Sequence, residues 1–351
     1  CYGLSQLKSL YWEDVMNKLV RPVIAALAMF MLVGTGSSFA APEFTLRAGH
    51  DGAAGNQYDL LLHRFADLVK KRTNGRVEVK VFPNAQLGNE LELAEGLRLG
   101  SVDFSTSSVG NIPPLIPKAG LLGLPYLIQS KEHRELLADT NGRFYTAFAK
   151  MVEDTNVGIK LLGLVTAGVR NLFNSARPVK SPEDLKGLKI RVMTSDVQVQ
   201  SWKAFGAVPT PLPYSEVYTA LLSKVVDGAE GAAHHYFQQK FNEGAKYFSL
   251  TEHMVAMGLF MTSQKTFDKL PADVQKVIIQ AGSEASVYER GIDDEQNSKY
   301  LAKMSSKGST LVKVDKSGFI ARALPLHDRI AKELKAEDLL QIVREDAKRA
   351  K

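Results

Sequence analysis

Arg170 and Arg191 bracket the stretch of this chain best suited to do chemistry, from Gly168-Val-Arg170-Asn-Leu-Phe to Gly187-Leu-Lys-Ile-Arg191-Val192. Arg170 lies in one apolar run that reads as a strand, and Arg191 ends another that follows a capped turn. A guanidinium held at a strand end presents a rigid fork of donors, which suits a carboxylate better than a flexible ammonium does. Capture of a small organic acid is one reading. Pairing with a structural Asp or Glu is the other, and spacing alone leaves both open.

Other chemistries find less support. His234-His235, with Asp227, Glu230 and His253 near in sequence, raises a metal site. A catalytic zinc ion usually takes three protein ligands and an open fourth position. No His-Glu-x-x-His spacing exists, and adjacent histidines on a helix point about 100° apart. No metal and no cofactor are therefore expected, and His234 is expected to face a ligand as a neutral hydrogen-bonding group. Phosphate-loop and Gly-x-Ser-x-Gly patterns are absent. The single cysteine is Cys1, so no thiol nucleophile is present beyond it. A periplasmic metal-dependent enzyme remains the contrary class, with a ligand-sensing module as a third.

The elements that must position the arginines begin after an export signal. Lys18 and Arg21 form a positive start, Val23 to Val33 an apolar core, and Ser38-Phe39-Ala40 a small-residue cleavage site. Residues 16–40 thus read as a signal peptide, and 1–15 as an upstream extension with the natural start at Met16. Cys1 is not at the end of the apolar core, so it is no lipid-attachment site. The apolar run falls short of the roughly 20 residues that span a bilayer. Without disulfides the exported part must be held by its core. Its length of about 310 residues allows two domains or one large one. The whole chain carries a net charge of +6; residues 1–40 hold three basic and two acidic residues, leaving +5 for the rest. That charge is mixed along the sequence, which argues against nucleic-acid binding and weakly favours anionic ligands.

Hydrophobic periodicity predicts a strand at 44–48, a helix over Tyr58–Val69, a strand at 77–81, a helix over 90–99 and a strand at 102–107. This βαβαβ order signals a mostly parallel sheet covered by helices. Helices are expected over 131–138 and 143–153, and strands at 157–164, 168–174 and 188–192. A helix over 195–205 and an extended run at 209–213 follow. Helices are expected over 215–224 and, at least in part, 229–243, with a strand at 257–262. A long amphipathic helix over 271–304 precedes a late strand at 311–314. The alternation predicts two α/β lobes, and open sheets of this kind bind ligands beyond the carboxyl ends of their strands. Arg191 has that placement.

Several blocks in this order resemble the DctP-type solute-binding proteins of tripartite ATP-independent periplasmic (TRAP) transporters. They are Pro83-Asn-Ala-Gln-Leu-Gly88 with Gly100-Ser-Val-Asp-Phe104, Arg170 to Val192, Pro209-Thr-Pro-Leu-Pro-Tyr214 with Val226-Asp-Gly-Ala-Glu230, and Lys246-Tyr247 with Thr251-Glu-His253. The resemblance spans essentially everything from Phe44 on. It implies a type II-like two-lobe periplasmic binding protein with mixed sheets, hinge strands and a long helix spanning both lobes. Lobe I is expected at 41–167 plus 257–296, and lobe II at 168–256 plus 297–351. Arg191 would grip the ligand carboxylate, with Arg170 assisting. Tyr214 would lie against the ligand, Met193 would line the cleft, and His50 would stand near a ligand contact. Tyr58 reads as core, though it could reach the cleft. The implied partners are a small organic acid and the small and large membrane subunits of a sodium-coupled permease, with the receptor a monomer in the periplasm. Departures occur at Ser108, Gly231, Ala256 and Met257, where sialic-acid-binding members carry other, more polar residues. They predict a smaller or less hydroxylated ligand, such as an aliphatic, aromatic or keto acid.

Overall fold

The computed structural model describes residues 41–350, so the expected signal peptide and upstream extension lie outside the described residues. The first part is the expected βαβαβ: β1 (Phe44–Gly49), α1 (Gln57–Arg72), β2 (Val77–Phe82), α2 (Glu90–Leu99) and β3 (Phe104–Ser108). Next come α3 (Lys131–Ala138), α4 (Arg143–Asp154) and β4 (Ile159–Asn174). The middle holds β5 (Lys189–Val192), α5 (Asp196–Phe205), β6 (Val208–Pro211), α6 (Val217–Leu222), β7 (Gly228–Gly231) and α7 (Ala233–Gln238). The remainder is β8 (Tyr247–Ser263), α8 (Gln264–Lys269), α9 (Ala272–Ala302), β9 (Thr310–Val312), α10 (Ser317–Glu333) and α11 (Glu337–Arg349). Among the described residues no helix is long and apolar enough to cross a membrane.

Local chemistry sets these boundaries. Asn56 caps α1 by accepting from Asp59 N, and Lys70, Lys71 and Arg72 close it at the negative end of its dipole. Asn89 and Glu92 form a capping box on α2, which stops at Gly100 with φ of 80°. Ser195 caps α5 by accepting from Gln198 N.

The strands form one mixed sheet in the order β2-β1-β3-β8-β4-β7-β5-β6, with β9 beside β8. Two long antiparallel strands, β4 and β8, occupy its centre. Their pairing slips between Leu161 and Gly163, between Thr166 and Val169, and between Arg170 and Leu172. Such irregularities bend and twist a ladder locally. The strands expected at 157–164 and 168–174 are thus one strand, bent rather than broken. The expected strand at 257–262 extends back to Tyr247.

One expectation is corrected outright. Residues 229–231, expected to begin a stretch helical at least in part, belong instead to strand β7, which pairs with both β4 and β5. Small side chains allow it: a Cβ at Gly228 would stand 2.3 Å from the Phe173 carbonyl oxygen. Helical periodicity carried no trace of that close approach.

The long helix α9 packs on α1, β4 and α7. Its first half buries Val274, Ile278, Ala281 and Ala285. Its second half buries polar groups instead, namely Glu289, Arg290, Asp293 and Asn297. The C-terminal helices divide their contacts: α10 packs on α5, while α11 packs on α3 and α4. His133 Nε2 meets the Val343 carbonyl at 2.9 Å, and Arg143 pairs with Asp346 at 2.9 Å.

Candidate functional site

Arg191 points from the end of β5 into a cavity that it lines together with Arg170, Tyr214, Asp51 and Glu90. The guanidinium is buried, and its Nε and Nη2 both donate to the Leu212 carbonyl, at 2.8 and 2.6 Å. Those bonds fix the fork. Among the described residues Arg191 has no carboxylate partner within ion-pair distance. Tyr214 lies over it, with the guanidinium carbon 6.0 Å from the ring centroid. Burial pushes the Arg191 pKa down to about 10, aided by the like charge of Arg170 and opposed by Glu230. It remains a cation at neutral pH, with its charge only indirectly compensated.

Arg170 is arranged differently. From β4 it grips Glu230 of β7 in a bidentate pair: Nε donates to Oε2, and Nη2 donates to Oε1 at 2.7 Å. Nη2 also donates to the Glu230 carbonyl at 2.8 Å. His253 adds an Nε2···Oε2 contact of 3.3 Å. Burial pushes the Glu230 carboxyl up, but the Arg170 charge and the bonds from His253 and Arg170 hold it well below the usual carboxylate range. The two readings left open by the sequence therefore divide between the two arginines. Arg170 has its structural acid, and Arg191 has none.

Facing the arginines is an acidic wall. Glu90, the first residue of α2, accepts through Oε2 from Ser107 Oγ at 2.9 Å, Ser108 N at 2.7 Å and Asn111 Nδ2 at 3.0 Å. Asn111 Oδ1 in turn accepts from Thr194 N at 3.0 Å, joining the segments that follow β3 and β5. Ser108 Oγ lies 3.0 Å from Met193 Sδ across the same junction. Asp51 completes the wall, and its Oδ2 is buried without a hydrogen-bond partner. Burial, then the neighbouring Glu90 charge, pushes the Asp51 pKa well up; burial raises Glu90 too. Tyr58, Gln57 and His235 line the remaining side. His235 Nε2 meets Gln57 Oε1 at 2.8 Å, and burial keeps its imidazole neutral.

Of the residues expected from the sequence, Arg191, Arg170, Tyr214, Met193 and Ser108 all line the cavity. Four do not. His50 is buried beside it, tied through Nε2 to Asp59 Oδ1 at 3.0 Å, so the next residue, Asp51, holds the lining place. Met257 sits in the apolar core with Leu259 and Met261. Gly231 ends β7 behind Arg170, where a Cβ would stand 3.9 Å from Nη2. His234 turns toward Asp293 of α9, and its neighbour His235 faces the cavity instead. The sequence reading also missed Glu90, Asn111 and Gln57. Glu90 had a usable signal, because a carboxylate at the first position of a capped helix, next to Gly88, is placed at a strand-end opening.

The raised Asp51 pKa has a measurable consequence. An acid whose folded pKa lies above its unfolded one contributes stability at low pH that is lost as pH rises. Asp51→Asn stays neutral, so its melting temperature should match the parent near about pH 4 and exceed it increasingly toward neutrality. A pH-independent offset between the two would contradict a desolvated carboxyl here.

A two-ended α/β sheet with a buried, unpaired guanidinium in its central cavity defines a ligand-binding protein of the carboxylate-capturing class. The comparisons with known proteins agree. Residues 48–334 match the DctP family model, "Bacterial extracellular solute-binding protein, family 7". A solute-binding protein of Verminephrobacter eiseniae is 35% identical over 306 residues, covering 86% of this chain and 90% of that one. The 2,3-diketo-L-gulonate-binding periplasmic protein YiaO of Escherichia coli is 32% identical over 325 residues, covering 92% and 96%. A TRAP periplasmic solute-binding protein from Sulfitobacter sp. NAS-14.1, solved with β-D-galacturonate, superposes with a TM-score of 0.81 at 29% identity, covering 86% and 99%. The sugar acid-binding protein DctPAm from Advenella mimigardefordensis, solved with galactonate, gives a TM-score of 0.83 at 26% identity, covering 89% and 100%. The chain belongs to the DctP family of TRAP periplasmic solute-binding proteins, which bind rather than transform their solutes.

Proposed function

We propose that this protein captures a hydroxylated sugar acid in the cavity and delivers it to a TRAP permease. The observation that carries the reading is the buried Arg191 fork, fixed by Leu212 and without a carboxylate of its own. A ligand carboxylate would take the remaining Nη1–Nη2 face of the guanidinium, with the charge of Arg170 beside it and Tyr214 against the ligand. The opposite wall, Asp51, Glu90, Asn111 and Gln57, offers acceptors and amides suited to hydroxyl groups. Buried polar groups left unpaired by an apolar ligand penalise it strongly, which is how such sites discriminate. The less hydroxylated ligand expected from Ser108, Gly231, Ala256 and Met257 is therefore replaced in this reading. Ala256 and Met257 do not face the cavity, and the acidic wall supplies the polarity they lack. The sugar acids bound by the related structures support the same choice.

The remaining parts of the reading rest on the family. The receptor works as a monomer in the periplasm, exported by the signal at 16–40, and hands its acid to the small and large membrane subunits of a sodium-coupled permease. Its lobes, 41–167 plus 257–296 and 168–256 plus 297–351, close by bending where β4 and β8 lose register; such hinge closure around a ligand is common in two-lobe receptors.

A thermal-shift screen tests the ligand class. At about 100 times the dissociation constant a ligand adds about 2.7 kcal/mol of stability. Galacturonate, glucuronate or galactonate should raise the melting temperature, and aliphatic monocarboxylates and keto acids should not. An apolar acid that calorimetry finds tighter than every hydroxylated acid in the panel would overturn the reading.

A further inference from the structure

Behind the cavity wall lies a cluster of buried polar side chains that the ligand reading does not use. His234 and Asp293 are both fully buried. His234 Nε2 stands 3.1 Å from Asp293 Oδ1, yet neither ring nitrogen of His234 nor either oxygen of Asp293 makes a hydrogen bond of acceptable geometry. One turn earlier on α9, Glu289 accepts through Oε2 from the Thr166 N–H at 3.0 Å, while its Oε1 has no partner. Buried polar atoms are nearly always satisfied, so five unpaired ones in one place demand a common explanation.

The neighbouring His235 supplies it. Residues on a regular helix would diverge, but at the start of the short α7 the His234 and His235 rings come within 4.1 Å, centroid to centroid. One donor atom each from His234, His235 and Asp293 all lie within 4.8 Å of one another. With Gln57 Oε1 accepting, His235 Nε2 carries the proton and Nδ1 keeps its lone pair. That is the form a metal-binding imidazole takes when an outer partner fixes its tautomer.

We propose that His234, His235 and Asp293 bind one zinc-like divalent cation, with water in the fourth position. Two imidazoles and a carboxylate with an open position are a set that zinc accepts. Calcium and magnesium take oxygen donors almost exclusively, which excludes them here. Tetrahedral donors at about 2.0–2.1 Å from a zinc ion stand roughly 3.3 Å apart, so the side chains must draw in slightly on binding. Gly168 of β4 leaves room for this: a Cβ there would stand 3.1 Å from Asp293 Oδ2 and 3.3 Å from His234 Cε1. The ion would tie α7 to α9 beside the irregular stretch of β4 and hold His235 at the cavity wall.

The test uses the untagged protein, stripped with a chelator and dialysed against zinc. Mass spectrometric metal analysis should find one equivalent retained. Cobalt should give visible absorption bands of a four-coordinate nitrogen–oxygen site. Asp293→Asn and His234→Gln should lower zinc affinity at least about tenfold, as should Gln57→Ala through the outer-partner effect. The exposed His63, replaced by alanine, should change nothing. Failure of the unmodified protein to retain stoichiometric zinc, or cobalt binding without those bands, overturns the site whatever the variants do. Unchanged zinc affinity in Asp293→Asn overturns it equally.

Discussion

Arg191→Ala should weaken sugar-acid binding by about 30-fold or more. Removing one partner of a buried, hydrogen-bonded charge pair costs about 2–5 kcal/mol, and each decade of affinity is about 1.4 kcal/mol. The direction for the free protein is the opposite. Arg191 is a desolvated cation whose pKa burial has pushed down to about 10, so folding holds it at a disadvantage. Arg191→Met keeps much of the volume and removes the charge. It should therefore be at least as stable as the parent without ligand, and should lose most of the ligand-induced rise in melting temperature. Arg191→Lys keeps the charge but not the fork, and should fall between the two in affinity. Calorimetry on the three variants separates a ligand anchor from a structural ion. Unchanged affinity in Arg191→Ala, or a large loss of stability in Arg191→Met, would remove Arg191 from the site.

Much of this arrangement can be read in the chain, and what cannot has identifiable causes. The βαβαβ start, the capped helices and α9 follow from periodicity and cap residues, because their signals are local. The placement of Arg191 follows from a short apolar strand after a capped turn. Strand β7 is invisible to the same logic. Its Gly-Ala-Glu-Gly sequence has no period, and the need for Gly228 shows only in the close approach of Phe173 and Asn174. The acidic wall was hidden for a related reason. Asp51 and Glu90 follow separate strands of the sheet, and no spacing in the sequence relates them. His234 and His235 could not be told apart by helical geometry either. Their orientation depends on where α7 begins after β7, which the sequence reading did not foresee.

Glu230→Gln should cost the free protein about 3–5 kcal/mol, because it leaves the Arg170 guanidinium buried with no anion. With an unfolding entropy of about 2.1 cal/mol/K per residue, about 310 residues give about 1.5 °C per kcal/mol, so the melting temperature should fall by roughly 5–8 °C. The cost belongs to the orphaned charge rather than to the pair itself. Replacing both members, as in Arg170→Met with Glu230→Leu, should therefore be milder than Glu230→Gln alone, and the coupling measured by the double-mutant cycle should be large. Ligand binding should respond in the other sense. In the parent, Glu230 occupies Nε and Nη2 of Arg170 and offsets the charge of Arg191. Without that anion the cavity holds two under-compensated guanidiniums, and an incoming carboxylate can serve both. The rise in melting temperature on saturation with galacturonate should thus be larger in Glu230→Gln than in the parent. A stability loss together with a smaller ligand response would mean that Glu230 shapes the ligand site itself. The predicted pair of opposite changes identifies it as an internal anion that holds Arg170 in place and competes with the ligand for it.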